Sequence, residues 1–186
     1  MDITIFTDVC LCAYTDHSHC GIFKDHRPQT IDHRPVSFDK EKTLDVLSKI
    51  AISHARAGAD YVAPSAMTEG QVGGIRKTLD DEGFEKVKIM GYSAKFASSA
   101  YGPFRNVADS APKFGDRKGY QLDFRDKAGA FNKINEDVEQ GADIVMVKPA
   151  LWYLDLVSEA KMRTHKTLAV YNVSGEYTMV KEGVRK

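Results

Sequence analysis

One phrase occurs twice in this chain of 186 residues. Ala57-Gly-Ala-Asp-Tyr-Val-Ala-Pro-Ser65 is echoed by Gln140-Gly-Ala-Asp-Ile-Val-Met-Val-Lys-Pro149. Each reads as a helix end, a glycine turn, a short buried strand and a proline that stops it. The apolar run over 144–147 has no polar interruption, the pattern of a strand covered on both faces. Further strand patterns lie at 3–9, 87–92 and 168–173. Between them, Leu44, Leu47, Ile50 (or Ala51), His54 and Ala55 recur at helical spacing over 42–57, with Gly58 as the stop. Two more helices are predicted over 70–82 and about 126–139. Five strands alternating with helices predict stacked βαβ units and a parallel sheet, an α/β fold.

The second copy of the phrase ends on Lys148, placing an ammonium at the carboxyl end of a buried parallel strand, where ligands collect in α/β sheets and barrels. A lysine partly stripped of water there has a lowered pKa and offers a neutral amine to a carbonyl. The bland alternative is a lysine that snorkels to solvent. Lys95, in Lys88-Ile-Met-Gly-Tyr-Ser-Ala-Lys95, follows the strand at 87–92. If both strands belong to one parallel sheet, the two ammonium groups emerge on one face and depress each other's pKa.

Three cysteines fall within eleven residues, in Asp8-Val-Cys-Leu-Cys-Ala-Tyr-Thr-Asp-His-Ser-His-Cys-Gly21. Three thiolates at this spacing can hold zinc and leave its fourth position open, as catalytic sites do. His17 and His19 are further ligand or outer-shell candidates; a metal-free thiol cluster is the alternative. A polar loop over 24–42 carries the duplication Asp25-His-Arg-Pro28 and Asp32-His-Arg-Pro35, which suits a solvated loop or lid. The stretch 95–121 is long and polar enough to be functional. In it, Arg105 and Arg117 can each clamp a carboxylate through two hydrogen bonds or form surface ion pairs.

Lys+Arg and Asp+Glu both number 26, so no charge excess points to nucleic acid or an acidic membrane. No apolar run approaches the roughly 20 residues of a membrane span. The N-terminus has no basic and apolar leader, and the odd, clustered cysteines suit a reducing compartment, so a cytoplasmic location is expected.

Several segments together closely resemble the porphobilinogen synthase (5-aminolevulinate dehydratase) family. They are Asp8-Val-Cys-Leu-Cys12, His19-Cys-Gly21, Val62-Ala-Pro-Ser65, Tyr92-Ser-Ala-Lys-Phe96, Tyr101-Gly-Pro-Phe-Arg105, Gly115-Asp-Arg-Lys118, Met146-Val-Lys-Pro-Ala150 and Val173-Ser-Gly-Glu-Tyr177. The resemblance implies a (β/α)8 TIM barrel, usually in large homo-oligomers, that condenses two 5-aminolevulinate molecules to porphobilinogen for tetrapyrrole (haem) synthesis. It implies Schiff bases at Lys148 with the first substrate and at Lys95 with the second, and zinc on Cys10, Cys12 and Cys20. It further assigns Arg105 and Arg117 to the second substrate's carboxylate, Ser174 to the first one's, and Asp8 and Tyr101 to the pocket wall.

A full barrel takes about 250 residues. Because the chain starts on a strand and stops within a helix, the expectation is a single incomplete barrel domain over 1–186, with about five βα units, cut at both ends. Two early strands, the last strand with its carboxylate-binding tyrosine, and the family's N-terminal arm have no counterpart. Ala66 stands where the family commonly has aspartate, and Asp16 and Ser18 replace its usual serine and glycine. Lys133 replaces an outer magnesium ligand, so no magnesium site is expected. Two other functions compete: a class I aldolase-like lyase using one lysine, and an inactive fragment that binds only metal.

Overall fold

The computed structural model describes residues 3–24 and 38–185. Its strands are β1 (Phe6–Val9), β2 (Tyr61–Pro64), β3 (Lys88–Lys95), β4 (Ile144–Lys148) and β5 (Thr167–Val170). All pair in parallel, in the spatial order of the chain. Helices α1 (Lys40–Arg56), α2 (Gln71–Asp81), α3 (Gly102–Val107), α4 (Lys127–Glu139), α5 (Leu154–Arg163) and α6 (Ser174–Val184) fill the connections. Sequential parallel strands, each followed by a helix, make a partial (β/α)8 barrel of five βα units. Among the described residues, β1 pairs only with β2 and β5 only with β4. None of the described helices is long and apolar enough to cross a membrane.

The repeated phrase has a structural cause. Gly58 and Gly141 take φ of 94° and 101°, the left-handed turn that glycine tolerates best. Ala59 and Ala142 are buried behind them. The aspartates then tie each new strand to its earlier neighbour. Asp60 accepts the Ile5 N–H at 2.7 Å, and Asp143 accepts the Ile89 N–H at 2.9 Å. Asp39 and Asp126 cap α1 and α4, accepting from Lys42 and Gly129 backbone N–H groups at 3.1 and 2.8 Å.

Two apolar layers result. Val9, Val62, Ile89, Val145 and Val147 face Leu47 of α1, Ile75 of α2, Ile134 of α4 and Leu156 of α5 in one continuous core. The other sheet face has only a thin layer of Ala63, Tyr92 and Met146, with Met90 and Ala169 beside them. That thin face leads up to the lysines.

Boundaries differ from the sequence expectation in places. β1 begins at Phe6 rather than residue 3, although Ile5 still accepts from Tyr61 N–H at 3.0 Å. Lys95 is the last residue of β3 rather than lying beyond it. β5 stops at Val170 rather than 173, because Val173 becomes the cap of α6. The polar stretch after Lys95 contains a 3-10 turn (Ser99–Tyr101) and α3. The Asp-His-Arg-Pro duplication lies outside the described residues.

Candidate active site

β4 alternates regularly, so Met146 and Lys148 share the thin-layer face while Val145 and Val147 face the helices. Lys148 and Lys95 are register partners across β4 and β3. Lys148 Nζ stands 3.8 Å from the Tyr171 ring centroid, 5.2 Å from that of Tyr92 and 5.6 Å from that of Tyr101. Burial, then the neighbouring Lys95 charge, pull its ammonium down to about 7. Lys95 is buried, and its Nζ donates to the Ser65 carbonyl at 2.6 Å. Tyr101 braces the same strand ends, donating its hydroxyl to Phe96 O at 2.6 Å.

Two cavities meet at Lys148. One, of 290 Å³, is lined by Asp8, Cys12, Lys95, Arg105 and Arg117; the other, of 270 Å³, by Ser174, Tyr177 and Asn172. Lys148, Tyr101 and Tyr171 border both. Two wider clefts of 590 and 570 Å³ lie elsewhere, lined by residues such as Arg76 and Asp143, or Lys49 and Glu82. They bring together no comparable set of reactive groups.

Cys10, Cys12 and Cys20 converge, with their sulfurs all within 4.8 Å of one another. All three are free, and Cys10 and Cys12 Sγ are 3.5 Å apart. A hydrogen bond with Cys12 holds the Cys10 thiol down, but Cys20 and burial outweigh it and push the thiol up to about 11. Three convergent thiols without a disulfide fit a soft divalent cation, which would displace their protons. The histidines play another part. His19 is fully buried, and its ring nitrogens engage Tyr120 Oη at 3.2 Å and Phe114 O at 3.0 Å. His17 Nδ1 accepts the His19 N–H at 3.1 Å. Among the described residues, the ligand cluster is the three cysteines alone.

The guanidinium groups carry unused donors. Arg117 Nη2 donates to Ser18 O and Ser110 O, both at 2.8 Å, but its buried Nε has no partner. Arg105 sits over the Tyr101 ring at 5.1 Å, and its Nε is likewise buried and unpaired. Gln121 lines the same cavity with both amide heteroatoms unpaired. Buried donors without partners cost stability unless a ligand engages them, and a carboxylate can accept from all three side chains. Ser174 Oγ accepts the Phe104 N–H at 3.0 Å at the rim of the second cavity. Ala66, which departs from the aspartate that the resemblance would imply, is buried.

The sequence singled out neither Gln121 nor Tyr171. Gln121 closes the polar stretch already marked as functional, and Tyr171 directly follows β5. Glu176 was also missed. Fully buried, it accepts from Val173, Leu151 and Ala150 N–H at 2.8, 2.7 and 3.3 Å, tying α6 to the loop after Lys148. Its signal is an acidic residue in the first turn of a helix.

A family model described as delta-aminolevulinic acid dehydratase matches residues 1–186. The delta-aminolevulinic acid dehydratase of Archaeoglobus fulgidus is 50% identical over 184 residues, covering 99% of this chain and 54% of the relative. That of Staphylococcus aureus is 48% identical over 180 residues, covering 97% and 53%. The crystal structure of the Toxoplasma gondii ME49 enzyme, in complex with its reaction product porphobilinogen, superposes with a TM-score of 0.89 at 39% identity. It covers 98% of this chain and 50% of that one. The chain thus spans about half the length of the curated relatives it matches. With a full-length family match and half its residues shared with relatives, the chain belongs to the delta-aminolevulinic acid dehydratase family.

Proposed function

We propose that this chain carries the porphobilinogen synthase site, a lyase that condenses two 5-aminolevulinate molecules with loss of two waters in tetrapyrrole synthesis. The observation that carries this is the pair of lysines, Lys95 and Lys148, lining one cavity beside the cysteine triad, with Lys148 also bordering a second. Residues 1–186 act as one incomplete catalytic barrel domain within a cytoplasmic homo-oligomer. The free thiols suit that reducing compartment.

Lys148 takes the first substrate. Its amine, already half neutral near pH 7, attacks the ketone, and water leaves as the Schiff base forms. Lys95 does the same for the second substrate. Ser174 orients the first carboxylate, while Arg105 and Arg117, with Gln121, receive the second on their unpaired donors. Asp8 and Tyr101 shape the wall between them and restrict water. Cys10, Cys12 and Cys20 would hold zinc, which would supply a Lewis acid on the second substrate's side.

Incubation with 5-aminolevulinate and borohydride, followed by peptide mass mapping, tests this reading. Adducts are expected on Lys148 and Lys95. Absence of adduct on both overturns it. Porphobilinogen formation and about one bound zinc per chain separate it from a one-lysine aldolase and from an inactive metal-binding fragment.

A further inference from the structure

β3 breaks strand alternation just before Lys95. Ile89 lies in the helix-facing core and Gly91 against Asp137 of α4, while Met90 and Tyr92 belong to the thin layer. A regular strand would next turn residue 94 toward the cavity and residue 95 toward the helices. Instead Ala94 lies in the helix-facing core, as Ser93 faces Asp137, and Lys95 lines the cavity together with Tyr92. The register shows the extra residue: Gly91 pairs with Val145 and Ala94 with Val147, three steps on β3 against two on β4. Unbroken pairing would set Lys95 against Pro149. A bulge of this kind re-aims a side chain.

The group packed against the bulge comes from α4. Asp137 is fully buried; its Oδ1 accepts from Lys133 Nζ at 2.8 Å, and its Oδ2 has no hydrogen-bond partner. That free oxygen points at the bulge. A Cβ added to Gly91 would sit 2.9 Å from it and 3.1 Å from Ser93 Oγ. The Ser93 hydroxyl donates to Gly91 O at 3.3 Å, within the bulge itself. A buried carboxylate oxygen without a partner is costly, and neither Lys95, Lys148 nor the thiols hydrogen-bond to it.

We propose that Asp137 is a positioning residue: its carboxylate, packed against Gly91 and Ser93, holds the β3 bulge that turns Lys95 into the cavity opposite Lys148. The functional meaning rests on the Schiff-base reading above, but the geometry can be tested without substrate. The probe is the Lys148 amine, titrated through its side-chain 13C resonance in the full chain. Lys95 is the like charge that depresses Lys148; Asp8, Cys10 and Cys12 act on it in the opposite sense and are untouched by the substitutions.

Asp137→Ala should let the bulge relax and withdraw Lys95, raising the Lys148 midpoint by roughly 1 pH unit. Asp137→Asn, which keeps the shape, should restore most of the original value. Loss of a nearby negative charge alone would move the midpoint down, so the sign separates position from field. Ile134→Ala, a core truncation on the same helix, should lower Tm and leave the midpoint in place. Should Asp137→Ala not fold, Gly91→Ala strains the same contact and is expected to give the same upward movement. A midpoint that stays or falls in the folded variant, or one that rises equally in Ile134→Ala, overturns the proposal. Borohydride trapping on the parent chain is scored separately. Its failure would remove the Schiff-base reading while leaving the positioning of Lys95 to be judged by the titration.

Discussion

Lys95 and Lys148 are register partners across two adjacent strands, yet their amines occupy unlike surroundings. Lys95 Nζ is anchored on the Ser65 carbonyl at 2.6 Å, whereas Lys148 Nζ lies over the Tyr171 ring at 3.8 Å. A carbonyl fixes a direction; aromatic faces shield the amine from water and hold it loosely. The asymmetry supports the proposal that the two lysines take two copies of one substrate in different orientations.

Reactivity at Lys148 should follow its neutral amine. Burial and Lys95 disfavour the ammonium, so the amine becomes neutral above about 7 rather than above the ordinary 10.5. Borohydride trapping on Lys148 should therefore rise with pH through a midpoint near 7. Between these two values the unfolded chain holds a proton that the folded chain has released, so this lysine makes stability rise with pH across that window. A trapping series with a midpoint near 10 would contradict the assignment.

Zinc should bind the triad at roughly 2.3 Å from each sulfur, as read by X-ray absorption under reducing conditions. Cys20→Ala should weaken binding by more than the roughly 10–100-fold typical of losing an outer-shell partner. Competition with a chromophoric chelator measures it. Unchanged affinity in this variant would exclude the cysteine site.

Arg105→Gln removes a guanidinium whose Nε is buried and unpaired. Loss of one charged hydrogen bond, about 1.5–3 kcal/mol, should raise the 5-aminolevulinate concentration for half-maximal product formation by roughly 10–100-fold. The Lys148 adduct should form as before, because that lysine is proposed to take the first substrate and Arg105 to bind the second. Equal loss of both signals would move Arg105 out of the second-substrate role.

Asp143→Ala leaves the Ile89 N–H without its 2.9 Å acceptor at the start of β3. The expected loss is about 1–3 kcal/mol of stability, visible as a lower urea midpoint with an unchanged m-value. Asp60→Ala tests the first copy of the phrase in the same way and should give the smaller effect, since Ile5 is exposed.

The Gly-Ala-Asp phrases and the strand runs were legible because they act over a few residues. A positive φ or an apolar run is dictated by its immediate neighbours, so five βα units could be counted directly. The cysteine spacing and the lysines at strand ends were legible for the same reason, and the family resemblance supplied their roles. The sequence expected Lys95 to share a face with Lys148, but only tertiary structure decided the route, since strict alternation from Tyr92 would have pointed Lys95 at the helices and a bulge turns it back. It also decided that both His19 ring nitrogens are taken up by Tyr120 and Phe114, and that Gln121 joins Arg105 and Arg117. These outcomes depend on partners far away along the chain, Asp137 on α4 and Phe114 in the loop after α3 among them. Local pattern sets backbone conformation, whereas the face a side chain takes is settled only when distant segments pack together.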